Sequence, residues 1–179
     1  MKDQESTMRA FLAISLSDET KAALAPLQCA LPVGRPVPPE NLHLTLVFLD
    51  DQIEETLEAL HEELLTLSVP SFSVTFSRVE SFGQVLSVGV ADSAPLVALH
   101  REVQTAIRRA GIVLSRRRFR PHVTFARLKP GQGRELRHVL STHAEGALPD
   151  MPVTGFTLFQ STLRPEGARH DALAHYALR

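Results

Sequence analysis

Two segments of this chain, Asn41–Leu49 and Pro121–Leu128, each set a His-x-Thr triplet into an otherwise apolar run, and this repetition constrains the fold more than any other feature. The triplets are His43-Leu44-Thr45 and His122-Val123-Thr124. On a strand, side chains at i and i+2 share a face. His43 and Thr45 therefore point one way, while Leu42, Leu44, Leu46 and Phe48 point the other, into the core. The same parity sets His122 and Thr124 opposite Val123 and Phe125. An imidazole and a hydroxyl inside a core would each need a buried partner; a shared polar cleft satisfies both. A lone His-x-Thr among eight histidines is usually a surface or satisfied histidine, but two at matching places in apolar strands are hard to reach by chance.

The flanking sequence gives the two strands similar surroundings. Arg9–Leu16 is apolar enough for a buried strand, and Ser17 caps a helix to about Ala30 that Pro26 kinks or shortens. Leu31–Glu40 holds Pro32, Pro36, Pro38 and Pro39 and reads as an extended loop. Asp50 and Asp51 open a helix carrying Ile53, Leu57, Leu60, Leu64 and Leu67, ended by Pro70. Phe72, Val74 and Phe76 alternate as a half-buried strand, and Val85–Val90 follows a turn near Gly83. A third helix starts at Asp92–Pro95 and stops at Gly111. A short strand at Ile112–Leu114, a weaker helix at Gly131–His143 and a strand at Val153–Leu163 complete the reading. The tail from Arg164 is ambiguous and allows one more short strand near Ala172–Leu178. The order is strand–helix–strand–helix–strand, repeated from Val85 with one small extra strand. Each half then carries one His-x-Thr on its middle strand.

If the halves pack as twins, both His-Thr pairs line one cleft. Two imidazoles would approach one group from opposite sides, with two hydroxyls between them. Such a set suits phosphodiester hydrolysis without metal: one neutral histidine takes a proton from water, the other protonates the leaving alkoxide, and the hydroxyls hold phosphoryl oxygens.

Composition bounds the alternatives. A chain of 179 residues that is 44% hydrophobic supports one domain with a full core, read here as residues 8–179 with 1–7 as a disordered extension. Cys29 is the sole cysteine, which excludes an intrachain disulfide or a cysteine metal site and fits a reducing cytoplasm. No apolar run suits a signal peptide or a membrane span. Net charge is −1, yet residues 101–137 hold eleven Lys and Arg against two acids, which suggests a face that meets anions. For those surface arginines alone, a solvated helix and loop is the simpler reading. His170 and His175 lack a third ligand, and His61, His100, His138 and His143 sit on helices as solvated residues. No His-x-x-x-His pair occurs, so neither metal nor cofactor is expected.

Around the motifs stand Arg9-Ala-Phe-Leu-Ala-Ile, Pro39-Glu-Asn-Leu-His-Leu-Thr-Leu-Val-Phe-Leu, Phe119-Arg-Pro-His-Val-Thr-Phe-Ala-Arg127 and Phe159-Gln-Ser-Thr-Leu-Arg-Pro-Glu-Gly. Taken in order from Met8 to about Gly167, these resemble the 2H phosphoesterase superfamily, most closely the bacterial RNA 2′,3′-cyclic phosphodiesterases, also called the 2′-5′ RNA ligase family. The resemblance implies a two-lobed α+β fold with antiparallel sheets facing a central cleft and helices outside. It implies hydrolysis of a 2′,3′-cyclic phosphate, on RNA ends or nucleotides, to a 2′-phosphate; separately, a monomer is expected. Some members of the family also join RNA ends through a 2′-5′ linkage by reversal, which is expected here to be minor; a non-catalytic RNA-end binding module is the other alternative. Carried onto this chain, His43 and His122 are the catalytic pair, with His43 as acid and His122 as base, and Thr45 and Thr124 hold the phosphate. Arg127 matches a phosphate- or base-contacting arginine, provided the strand ends or bulges near Ala126. Phe48 matches a base-stacking residue, although parity makes it a core residue first. Relatives commonly read Phe-Leu-Gly after the first motif, and Asp50 stands in place of that glycine.

Overall fold

Ala10–Ile14 is a continuous buried run, which requires a neighbour on each side of its strand. In the computed structural model, which describes residues 6–132, 136, 148–165 and 167–179, β1 (Thr7–Ser15) has both, pairing antiparallel with β3 (His43–Ile53) and β9 (Gly155–Arg164). The remaining strands are β2 (Arg35–Pro36), β4 (Phe72–Val74), β5 (Phe76–Phe82), β6 (Val85–Val90), β7 (His122–Arg127), β8 (Met151–Val153) and β10 (Gly167–Ala177). The helices are α1 (Asp18–Cys29), α2 (Glu54–Leu65) and α3 (Ala94–Arg109). The main sheet runs β10-β9-β1-β3-β7-β6-β5 with β2 on the flank of β7, and β4 pairs with β8 in a separate two-stranded sheet. Every pairing among the described residues is antiparallel. The fold is α+β, as expected.

The duplication lies in β1–α1–β3 and β6–α3–β7, each a strand, a helix and an antiparallel return strand. The outer strands are exchanged relative to the sequence reading. β5, from the first half, flanks β6, while β9 and β10, from the end of the chain, flank β1. The halves meet where β3 and β7 share one bridge, Leu44 to Val123. These are the central residues of the two triplets, both fully buried. Helices α2 and α3 pack against β3, and α1 against β7, so the apolar partners of the triplets face helices and the His-Thr face is left for the cleft.

Ser17 caps α1 by accepting from the Thr20 amide at 3.1 Å, and α1 carries Pro26 without ending there. Ser93 caps α3, which stops at Gly111 with φ +80°. Other expectations are corrected. Asp50 and Asp51 do not open α2; β3 continues through them to Ile53. α2 ends at Leu65, before Pro70. Ile112–Leu114 is not a strand, whereas the polar stretch Phe76–Phe82 is one, because it pairs with β6 across the Gly83 turn. The tail forms an eleven-residue strand, longer than expected, held along β9. The helix read at Gly131–His143 falls largely outside the described residues, as do His138 and His143.

Candidate active site

Extending the antiparallel register of the Leu44–Val123 bridge sets His43 across from Thr124 and Thr45 across from His122. All four side chains line one cavity of about 680 Å³, together with Phe48 and Arg127. The six residues singled out in the sequence are thus brought together.

The two histidines are held in the same way. The Nδ1–H of His43 donates to the carbonyl of Asn41 at 2.7 Å, and that of His122 donates to the carbonyl of Arg120 at 2.7 Å. A carbonyl only accepts, so each ring carries its proton on Nδ1 and keeps Nε2 for chemistry. Their surroundings differ. His43 is half-buried, with its ring centroid 4.9 Å from Phe11 and 5.2 Å from His170, the latter edge-on. Burial, countered by the Asn41 hydrogen bond and reinforced by His170, His122 and Arg127, lowers its pKa to about 4. His122 is exposed.

Parity fails at Phe48. β1 pairs Leu12 with Val47 and Ala13 with Thr45, so Leu46 is an extra residue in β3. That bulge shifts the alternation by one: Leu46 and Val47 are both buried, and Phe48 turns to the cleft with 49% of its surface exposed. Phe48 is therefore a cleft residue and not a core one. A second irregularity skips Leu49, beside Asp50 at φ +58°. The equivalent break in β7 is at Phe125, one residue before Ala126: Leu86 pairs with Ala126, but Ser87 pairs with Thr124. It sends Phe125 and Ala126 into the core and Arg127 to the cavity. The Phe125 carbonyl accepts from the Val37 amide at 2.9 Å and from the Gln28 side chain at 2.8 Å. The proline loop and α1 are thereby tied to the bulge.

Several lining residues escaped the sequence reading. Phe11 lies between Phe48 and Phe159 across three strands, stacked on Phe159 at 5.2 Å. His170 arrives from β10, where the Asn41 side-chain amide donates to the Ala168 carbonyl at 2.8 Å. Arg9, Arg35, Arg164 and Arg169 join Arg127 around the cavity, against Glu40 and Asp50. The excess of cations suits an anionic ligand, yet four of the five arginines come from outside the basic segment 101–137. Arg9 and Arg164 lie in the flanking motifs, but nothing local marks any of the four as a site residue; the pairing of β1 with β3, of β2 with β7 and of β10 with β9 collects them. His61 and His100 are not simply solvated: His61 hydrogen-bonds the Tyr176 hydroxyl at 2.9 Å, and His100 stacks on Phe119.

Comparison with known proteins gives these positions a context. Residues 16–163 match the model of the 2′-5′ RNA ligase superfamily. An RNA 2′,3′-cyclic phosphodiesterase of Archaeoglobus fulgidus is 29% identical, covering 89% of this chain and 94% of the relative. One from Thermus thermophilus is 32% identical, covering 96% of this chain and 91% of the relative. The crystal structure of apo LigT from E. coli superposes with a TM-score of 0.81 at 26% identity, covering 96% of this chain and 98% of that one.

Proposed function

The chain belongs to the 2′-5′ RNA ligase superfamily, and from that premise we propose that it hydrolyses 2′,3′-cyclic phosphates of RNA ends or nucleotides to 2′-phosphates. His43 and His122 serve as its acid and base, and no metal takes part. Relatives named RNA 2′,3′-cyclic phosphodiesterase, aligned over most of the chain, support the reaction class. The observation that carries the mechanism is the matched tether of the two imidazoles, each held through Nδ1 by the carbonyl two residues earlier.

Nε2 of His122 takes a proton from water as its oxygen attacks phosphorus. The P–O3′ bond breaks, and Nε2–H of His43 protonates O3′. One water is consumed, and a 2′-phosphate and a free 3′-hydroxyl result. Thr45 and Thr124 donate to the non-bridging oxygens, Arg127 offsets their charge, and Phe48 offers its exposed ring to the base. Since burial holds His43 neutral in the empty cleft, its proton is taken up together with the anionic substrate, whose charge favours imidazolium. Among the described residues no three His, Cys, Asp or Glu side chains gather to hold a metal ion.

The test is turnover of a nucleoside 2′,3′-cyclic phosphate in EDTA. Activity should survive chelation, and His43→Ala and His122→Ala should each lower kcat by about 10³-fold, within the range for general acid–base catalysis. Near-wild-type activity in either variant, or its loss on chelation, would overturn the proposal.

A further inference from the structure

A second cavity, of about 210 Å³, adjoins the first and shares Thr45, Phe48, Asp50 and His122 with it. Its far side is made by α3 and the irregular segment leading into β7: His100, Phe119, Arg117 and Arg118. Phe119 is half-buried, and His100 stacks on it with centroids 3.9 Å apart and planes 9° apart, so the ring plane is fixed. Burial lowers the pKa of His100, which favours a neutral stacking partner. Arg120 is held over the Phe82 ring, its guanidinium carbon 4.9 Å from the centroid. Arg117 and Arg118 are exposed and make no ion pair among the described residues, and Asp50 is the single acid in the lining. Phe48 therefore stands between two cavities, one containing both motif histidines and the other combining a fixed aromatic ring with uncompensated guanidinium groups. Aromatic platforms beside arginines are how single-stranded nucleic acid is held without reading its sequence.

We propose that this second cavity binds the neighbouring nucleotide of an RNA strand whose cyclic phosphate end occupies the first. Phe119 and Phe48 pack against its base, and Arg117 and Arg118 meet its phosphate. The inference rests on the proposed hydrolysis and narrows its substrate class: oligonucleotides are preferred to mononucleotides because a mononucleotide leaves the second cavity empty. A solvated arginine run would give no such preference, and long-range steering by charge would be insensitive to Phe119.

The experiment compares adenosine 2′,3′-cyclic phosphate with the adenylyl-adenosine dinucleotide bearing the same cyclic end. The wild type should show a KM roughly tenfold lower for the dinucleotide, the scale of one charge-assisted hydrogen bond. Arg117→Gln/Arg118→Gln should remove most of that advantage, and Phe119→Leu should reduce it severalfold, with kcat and KM for the mononucleotide as in the wild type. Equal KM values in the wild type, variants that shift both substrates together, or variants that shift neither would overturn the proposal. If the wild type turns over neither substrate, hydrolysis is the reading that fails. Calorimetric affinities for the 2′-phosphorylated mononucleotide and dinucleotide then report the same ratio for the second cavity.

Discussion

The two His-x-Thr strands share a local design and differ in their setting. In β3 and β7 alike, the imidazole is tied through Nδ1 to a carbonyl two residues back, and the central residue of the triplet is fully buried at the shared bridge. Around His43 the chain adds Phe11, Phe48 and His170, brought in by β1, a bulge and β10. Around His122 it leaves solvent and a basic segment. Duplication thus supplies equivalent geometry, and the exchanged outer strands supply unequal electrostatics. An acid–base pair needs both: matched positions to reach one phosphorus, unmatched environments to hold different protonation states.

The largest effect expected from this asymmetry is a change in the charge of His43 on binding. With a pKa of about 4 in the empty cleft, His43 is unprotonated at pH 6. If it is the acid, a bound phosphate anion must raise that pKa, and binding must take up a proton. Calorimetry of a 2′-phosphate product at pH 6 in buffers of different ionisation enthalpy should show uptake that is lost in His43→Asn. No uptake would exchange the roles, leaving His43 as the neutral base and His122 as the donor.

The same asymmetry reaches the stability of the folded chain. Because burial depresses the folded pKa of His43 below its unfolded value of 6.5, its contribution is fully present above pH 6.5 and is lost as pH falls through about 4. At most about 3 kcal/mol is involved, from the size of the shift. Urea midpoints at pH 6.5 and pH 4 should therefore fall further in the wild type than in His43→Asn. His100 and His170 are depressed in the same direction and act in both proteins, so the difference isolates His43. Equal losses would mean that burial does not depress the pKa of His43.

How far this comparison was legible in the sequence depends on which interactions make it. The four motif residues were readable because alternation holds within each triplet: Leu42, Leu44 and Val123 are buried, as parity requires. The bulge at Phe125 was readable as a need, since Arg127 could reach the cleft only if the strand broke. The bulge at Leu46 was not, because Leu-Val-Phe-Leu carries no glycine or proline to mark it, and pairing with β1 alone creates it. His170 and Phe11 were invisible as site residues for a related reason. One lies on an edge strand of weak alternation and the other inside an apolar run, and only the sheet order brings them to His43.

The smallest effect comes from the one backbone position at which the first strand departs from the resembled family. Asp50 has φ +58°, the only non-glycine residue in the left-handed region among those described, at the second irregularity of β3. Aspartate tolerates that region better than most residues, yet glycine takes it without a Cβ penalty. Asp50→Gly should therefore raise the unfolding free energy from urea titration by up to about 1 kcal/mol, the unfolded chain's greater freedom offsetting part of the relief. Asp50 also lines both cavities as an acid. Its removal should lower KM for an anionic substrate and leave kcat unchanged, since Asp50 touches neither imidazole's tether. A fall in stability would show that the aspartate side chain holds the kink. The bend in β3 would then depend on its own residue's side chain, whereas that in β7 is held from outside the strand, by the Val37 backbone amide and the Gln28 side chain.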